Sequence, residues 1–235
     1  MTTGGDRPRP VPSRTVADAL AARRRADLVA GMRGLARPRR PRPPSPAAPP
    51  APAGSERCDL CGLPIPDSHR HLIHLAQRRI VCSCEGCWAM RAGEGDYRPT
   101  GNRTLALPDL TLPDDVWASL GIPIGLAFFM RSTVTECVLA MYPSPAGATE
   151  SELRFDSWSR VCELNPILSG LEPDIEGLIV NRLSDPPVYA IAPIDRCYAL
   201  TGAVKATWDG ISGGAGVDRA VTRFFDELLA ETVRA

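Results

Sequence analysis

The chain contains no run of eighteen apolar residues, so no segment of it is expected to cross a bilayer as a helix. The early residues also lack the compact apolar stretch of a secretory signal, because Arg23, Arg24 and Arg25 interrupt the one helical segment there. The location expected from these two features is the cytoplasm. Histidine is scarce: the three present, His69, His71 and His74, all fall in one short stretch. No Glu stands beside a His in a metalloprotease pattern, and the His-x-Glu of a zinc deaminase does not occur. No Lys-Ser/Thr follows a glycine-rich loop, and there is no Gly-x-Gly-x-x-Gly. Hydrolytic zinc, phosphate-loop nucleotide chemistry and dinucleotide binding therefore have no basis in the sequence.

Net charge is also missing, but only as a sum. Residues 1–55 hold eleven Arg against three Asp, a net of +8, and residues 56–235 carry the compensating −8. A basic tail on an acidic body suits nucleic acid, an acidic surface or an acidic partner protein. Residues 56–235 offer no basic helix to enter a groove, which sets nucleic acid below a protein partner.

Three zones follow along the chain. Residues 1–55 contain eleven of the 24 prolines, and the tract from Pro38 to Pro52 is too poor in apolar side chains to build a core. A disordered Arg/Pro-rich tail is expected, with at most a marginal helix from Thr15 to about Met32. Residues 56–100 form a cysteine module in which "HRHLIHL" and "RRIVCSC" read as two strands, and "EGCWAMRAG" as a helix start. Residues 103–235 read as a compact α/β (or α+β) region. Its strands are "GLAFFMR", "ECVLAMY", "GLIVNRL" and "VYAIAPI", the first two a hairpin about Ser132-Thr133. Helices are expected at Asp156–Leu164, Pro173–Glu176 and from a cap at Asp195 to Trp208. A last one runs from about Asp218 to Val233, burying Val221, Phe224, Phe225, Leu228 and Leu229.

Eight cysteines in a reducing cytosol point to metal rather than disulfides where they cluster. Cys58-x-x-Cys61 and Cys84-x-x-Cys87 supply four thiolates from two turns, the set a tetrahedral zinc ion requires. Gly62 after the second thiol suits a tight knuckle whose backbone N–H groups point at sulfur. The second pair sits where a helix begins, and the dipole there favours thiolates. Knuckle, hairpin, then paired cysteines at a helix start is the order of a treble clef. Cys82 is an alternative third ligand, but Cys84 repeats the first pair's spacing, which leaves Cys82 a spare thiol. Five thiols also keep an iron–sulfur cluster open. His69 and His71 share a strand face and could replace a cysteine or orient one from a second shell. The plainer reading makes them half-exposed residues beside an anionic centre that Arg70, Arg78 or Arg79 helps to neutralise.

Other candidates have plainer readings too. "GISGGAG" before the last helix reads as a helix-joining loop rather than a phosphate cradle. Cys137, Cys162 and Cys197 read as small core residues. Asp195, Asp209, Glu150 and Glu152 are carboxylates that the sequence does not pair, and Ser144 in "YPSPAG" has no evident base. Phe128, Phe129, Trp158 and Trp208 read as core.

Together "HRHL", "VCSCEGC", "WASLGIPIGLAFF", "YPSPAGATES", "LEPDIEGLIVNR", "PIDRCYALTG" and "WDGISGG…FFDEL" resemble one uncharacterised bacterial family encoded among nickel–iron uptake hydrogenase genes. The resemblance spans roughly residues 56–230 and matches that family's paired cysteines at Cys58, Cys61, Cys82, Cys84 and Cys87. His74 stands where the family carries an acidic residue. No activity accompanies the resemblance. It implies a zinc-stabilised accessory or assembly factor whose partners are hydrogenase subunits or maturation factors. Two other classes stand beside that reading: a nucleic-acid binder using tail and treble clef, and a redox or metal-delivery protein with a reactive Cys82.

Overall fold

Five consecutive apolar side chains, Leu126 to Met130, cannot alternate between core and water, so their strand must be covered on both faces. The computed structural model describes residues 56–153, 155–210 and 213–232. Its first elements are β1 (Arg70–His74), β2 (Arg79–Ser83), α1 (Glu85–Arg91), β3 (Tyr97–Pro99), β4 (Leu105–Ala106) and α2 (Asp114–Ser119). Then come β5 (Leu126–Arg131), β6 (Val138–Ser144), β7 (Gly147–Ser151), α3 (Phe155–Leu164) and a 3-10 turn (Pro166–Gly170). The last are β8 (Glu176–Asn181), β9 (Val188–Pro193), α4 (Ile194–Thr207) and α5 (Gly214–Ala230). The expected Arg/Pro-rich tail with its Thr15 helix lies outside the described residues, as do Val233 and part of the glycine-rich loop.

The strands form two sheets, β2-β1-β3 and β4-β9-β8-β5-β6-β7, and every pairing is antiparallel. The mixed architecture is thus of the α+β kind. In the larger sheet Phe128 lies opposite Met141 on one side and Ile179 on the other. One face of β5, with Leu126, Phe128 and Met130, packs under α4 and α5 through Leu200, Val204, Phe224 and Leu228. Ala127 and Phe129 on the opposite face meet Val116 of α2, Val161 of α3 and Leu168 of the 3-10 turn. Ile73 and Leu75 from the smaller sheet are buried in the same cluster as Phe128 and Phe224, so the cysteine-bearing hairpin shares a core with the larger sheet.

Several local expectations are corrected. Pro173–Asp174 is a turn with Asp174 at φ 65°, and Glu176 already belongs to β8, so no helix forms there. Thr133 holds that turn, giving its backbone N–H and its hydroxyl to the Asp174 carboxylate at 2.9 and 2.5 Å. In "YPSPAG", β6 continues through Pro143 to Ser144, and a turn at Pro145 and Ala146 leads into β7. Pro193, not Asp195, occupies the N-cap of α4. Leu229 on α5 is 37 % exposed, while Val221, Phe224, Phe225 and Leu228 are buried as expected. Cys197 is buried and Cys162 half-buried, but Cys137 is exposed in the β5–β6 loop.

Candidate metal centre

The first pair of cysteines sits in a closed turn. The Cys58 N–H donates to the Leu63 carbonyl at 2.8 Å, and the Gly62 N–H returns to the Cys58 carbonyl at 2.8 Å. Gly62 adopts φ +75°, a conformation that costs other residues about 1–2 kcal/mol. Asp59, between the thiols, fastens this knuckle to β2. Its N–H donates to the Cys82 carbonyl at 2.9 Å, and its carboxylate accepts the Cys82 N–H at 2.8 Å. β2 then ends, Cys84 takes an extended conformation as the N-cap of α1, and its Sγ accepts the Cys87 N–H at 3.4 Å. A thiol in place of the usual capping oxygen leaves the first helical N–H groups facing sulfur.

These turns bring Cys58, Cys61, Cys84 and Cys87 together, with one Sγ from each within 4.8 Å of the other three. Four sulfurs at about 2.3 Å from a zinc ion define a tetrahedron with edges of about 3.8 Å. Cys61 Sγ and Cys84 Sγ stand 3.7 Å apart. The donor set therefore fits a single tetrahedral ion. Cys58 is buried at 2 % exposure and Cys61 is exposed, so the cluster sits at the surface with one thiol as an inner anchor. Burial pushes the Cys58 thiol up, but the backbone N–H groups of Cys84, Leu60 and Cys61 prevail and bring it down to about 6. Contact with the Cys61 thiol, then burial and the remaining two thiols, push Cys87 up to about 12.

Cys82 is not among the four. It lies with His69 and His71 in a separate group. His69 Nδ1 is 2.9 Å from the Pro66 carbonyl and 3.4 Å from Glu56, and its side chain is only 5 % exposed rather than half-exposed. His71 Nδ1 lies 2.7 Å from Asp195 Oδ2, so the carboxylate expected to cap α4 instead reaches β1. His74 Nδ1 accepts the Gln77 N–H at 3.3 Å and its ring packs edge-on against Tyr97. Arg70 pairs with Glu85 at 3.0 Å and lies 4.3 Å over Trp88. Arg79 approaches Asp59 at 3.8 Å. Arg78 turns to Glu150 on β7, at 2.6 Å.

Asp59 and Asp195 were not legible as site residues. Asp59 lies within the first cysteine pair but carries no spacing signal, and Asp195 meets its histidine across more than a hundred residues of chain. Of the remaining carboxylates, Glu150 is thus in an ion pair, and burial raises the Cys162 and Cys197 thiols, which makes both poor nucleophiles.

An antiparallel α+β body carrying a four-cysteine cluster on a knuckle and a helix start defines a protein with a candidate metal centre. The chain belongs to the family of unknown function DUF5947, whose model matches residues 57–232. No curated protein and no solved structure matches it.

Proposed function

We propose that Cys58, Cys61, Cys84 and Cys87 hold one structural zinc ion in a treble clef, and that the protein serves as an accessory or assembly factor for a redox metalloenzyme. The observation that carries the metal reading is the four-thiol set, every Sγ within 4.8 Å of the rest. Four protein donors close a tetrahedral ion and leave no position for substrate, which is the mark of a structural site. The distances favour one ion over a multi-iron cluster, because inorganic sulfide between irons would hold at least some of the thiolates further apart.

The accessory role, with a nickel–iron uptake hydrogenase as the enzyme served and its subunits or maturation factors as partners, rests on the resemblance of residues 56–230. A cytosolic setting belongs to the same reading, because clustered thiols that hold a metal suit a reducing compartment. A single tetrathiolate iron is the second reading, since the same donor set suits iron as well as zinc, and it would make the protein a redox carrier. Nucleic acid as partner ranks lower, because residues 56–235 carry a net −8. Elemental analysis and a visible spectrum of the anaerobically purified chain test the metal reading. Zinc without colour is expected; stoichiometric iron with a red or brown chromophore would move the redox reading to first place.

A further inference from the structure

β1 and β2 pair with His71 directly opposite Cys82. Residues two apart on an extended chain share a face, so His69 joins His71 and Cys82 on one side of the hairpin. A ligand atom from each lies within 4.8 Å of the other two. On both imidazoles Nδ1 is engaged, His69 by the Pro66 carbonyl at 2.9 Å and His71 by Asp195 Oδ2 at 2.7 Å. That leaves Nε2 on each ring. His69 Nε2 is buried without any hydrogen-bond partner, on a side chain only 5 % exposed. Buried polar atoms are rarely left so, and an orphaned ring nitrogen beside a thiol and a second imidazole points to a missing cation.

We propose that His69, His71 and Cys82 form a second metal site, separate from the four-cysteine centre, that takes a zinc-class divalent ion. Metal-binding histidines characteristically give their other ring N–H to a carboxylate or a backbone carbonyl, and this hairpin supplies one of each. Two imidazoles and one thiolate are three protein donors, the number that leaves a tetrahedral ion one open position. His69, His71 and Asp195 line a cleft of about 820 Å³ together with Arg98, Asn102 and Arg103. Cys82 is thus a ligand in its own right, and Asp195 is a positioning residue that orients His71.

Cobalt(II), added alone to the metal-stripped full chain, tests the site through equivalents bound and ligand-field absorption. One equivalent should disappear in Cys82→Ser and in His71→Asn and persist in Cys61→Ser, which keeps the outcome independent of the four-cysteine reading. Asp195→Asn should weaken that same equivalent about 10–100-fold and leave the other unchanged. If Cys82→Ser and His71→Asn fold, by circular dichroism, and bind as many equivalents as the unaltered chain, the proposal is overturned. If they do not fold, unaltered affinity in Asp195→Asn overturns it instead.

Discussion

Cys84 does two things at once: its backbone and thiol cap α1, and its sulfur stands 3.7 Å from Cys61 across the cluster. Cys58 likewise closes the knuckle turn with its backbone and Cys87 gives the N–H of the cap bond, and each of the four supplies a quarter of the proposed donor set. Metal affinity is folding energy for a small thiolate site, so each of the four Cys→Ser changes should release the ion from this centre. Even indirect partners of a metal cost about 10–100-fold in affinity when removed, and loss of a direct ligand should exceed that. Competition with a chromophoric chelator measures it. Cys82→Ser should retain the four-thiol ion; its loss there would show that the donor set is misassigned. The paired spacings made these four residues legible, because a Cys-x-x-Cys turn is a local geometry written in adjacent residues. The link from His71 to Asp195 was not legible, since it depends on how β1 comes to rest on α4.

Among the elements, β5 and α5 were the clearest, because one is apolar at its first five positions and the other repeats its apolar residues at helical spacing. Short elements carry too few residues for a period, which is why β4, with two residues, and β7, with five, are not legible as strands. Asp195 was misplaced for a different reason: an Asp near a helix start suits a cap, but Pro193 already ends β9 there and the carboxylate is drawn to His71. Leu229 stands one residue beyond Leu228, so the turn of the helix carries it out of the core and into partial exposure. Phe224→Ala, which empties a site between α4 and α5, should cost about 3–5 kcal/mol. Leu229→Ala should lie within about 0.5 kcal/mol of the unaltered chain in the same urea titration. Equal losses would mean that α5 is rotated from the orientation described.

At the scale of the whole molecule, the cysteine-bearing hairpin is fastened to the larger sheet at several points. Ile73 and Leu75 enter the common core, Arg78 reaches Glu150, and the Gly101 N–H donates to the Ile175 carbonyl at 3.1 Å. A Cβ at Gly101 would lie 2.9 Å from that carbonyl oxygen, so the connector needs glycine to come this close. Arg103, two residues on, forms a two-pronged pair with the buried Glu176 at 3.0 and 2.6 Å. Such ties hold β1 without any metal, whereas under the proposed reading the knuckle and the start of α1 depend on the ion. Chelation should therefore accelerate hydrogen exchange first at 58–65 and 84–92, and leave β5 and β8 protected. Uniform acceleration across the chain would show that the ion supports the entire fold.

One ion held by four thiolates is the proposed centre, and X-ray absorption at the zinc edge reports it directly. The sample is the full-length Cys82→Ser chain, which leaves the four-cysteine centre as the only complete donor set among those described. The spectrum should fit four sulfurs at about 2.3 Å and no lighter scatterer in the first shell. Nitrogen or oxygen in that shell, or a chain that retains no zinc at all, would contradict it.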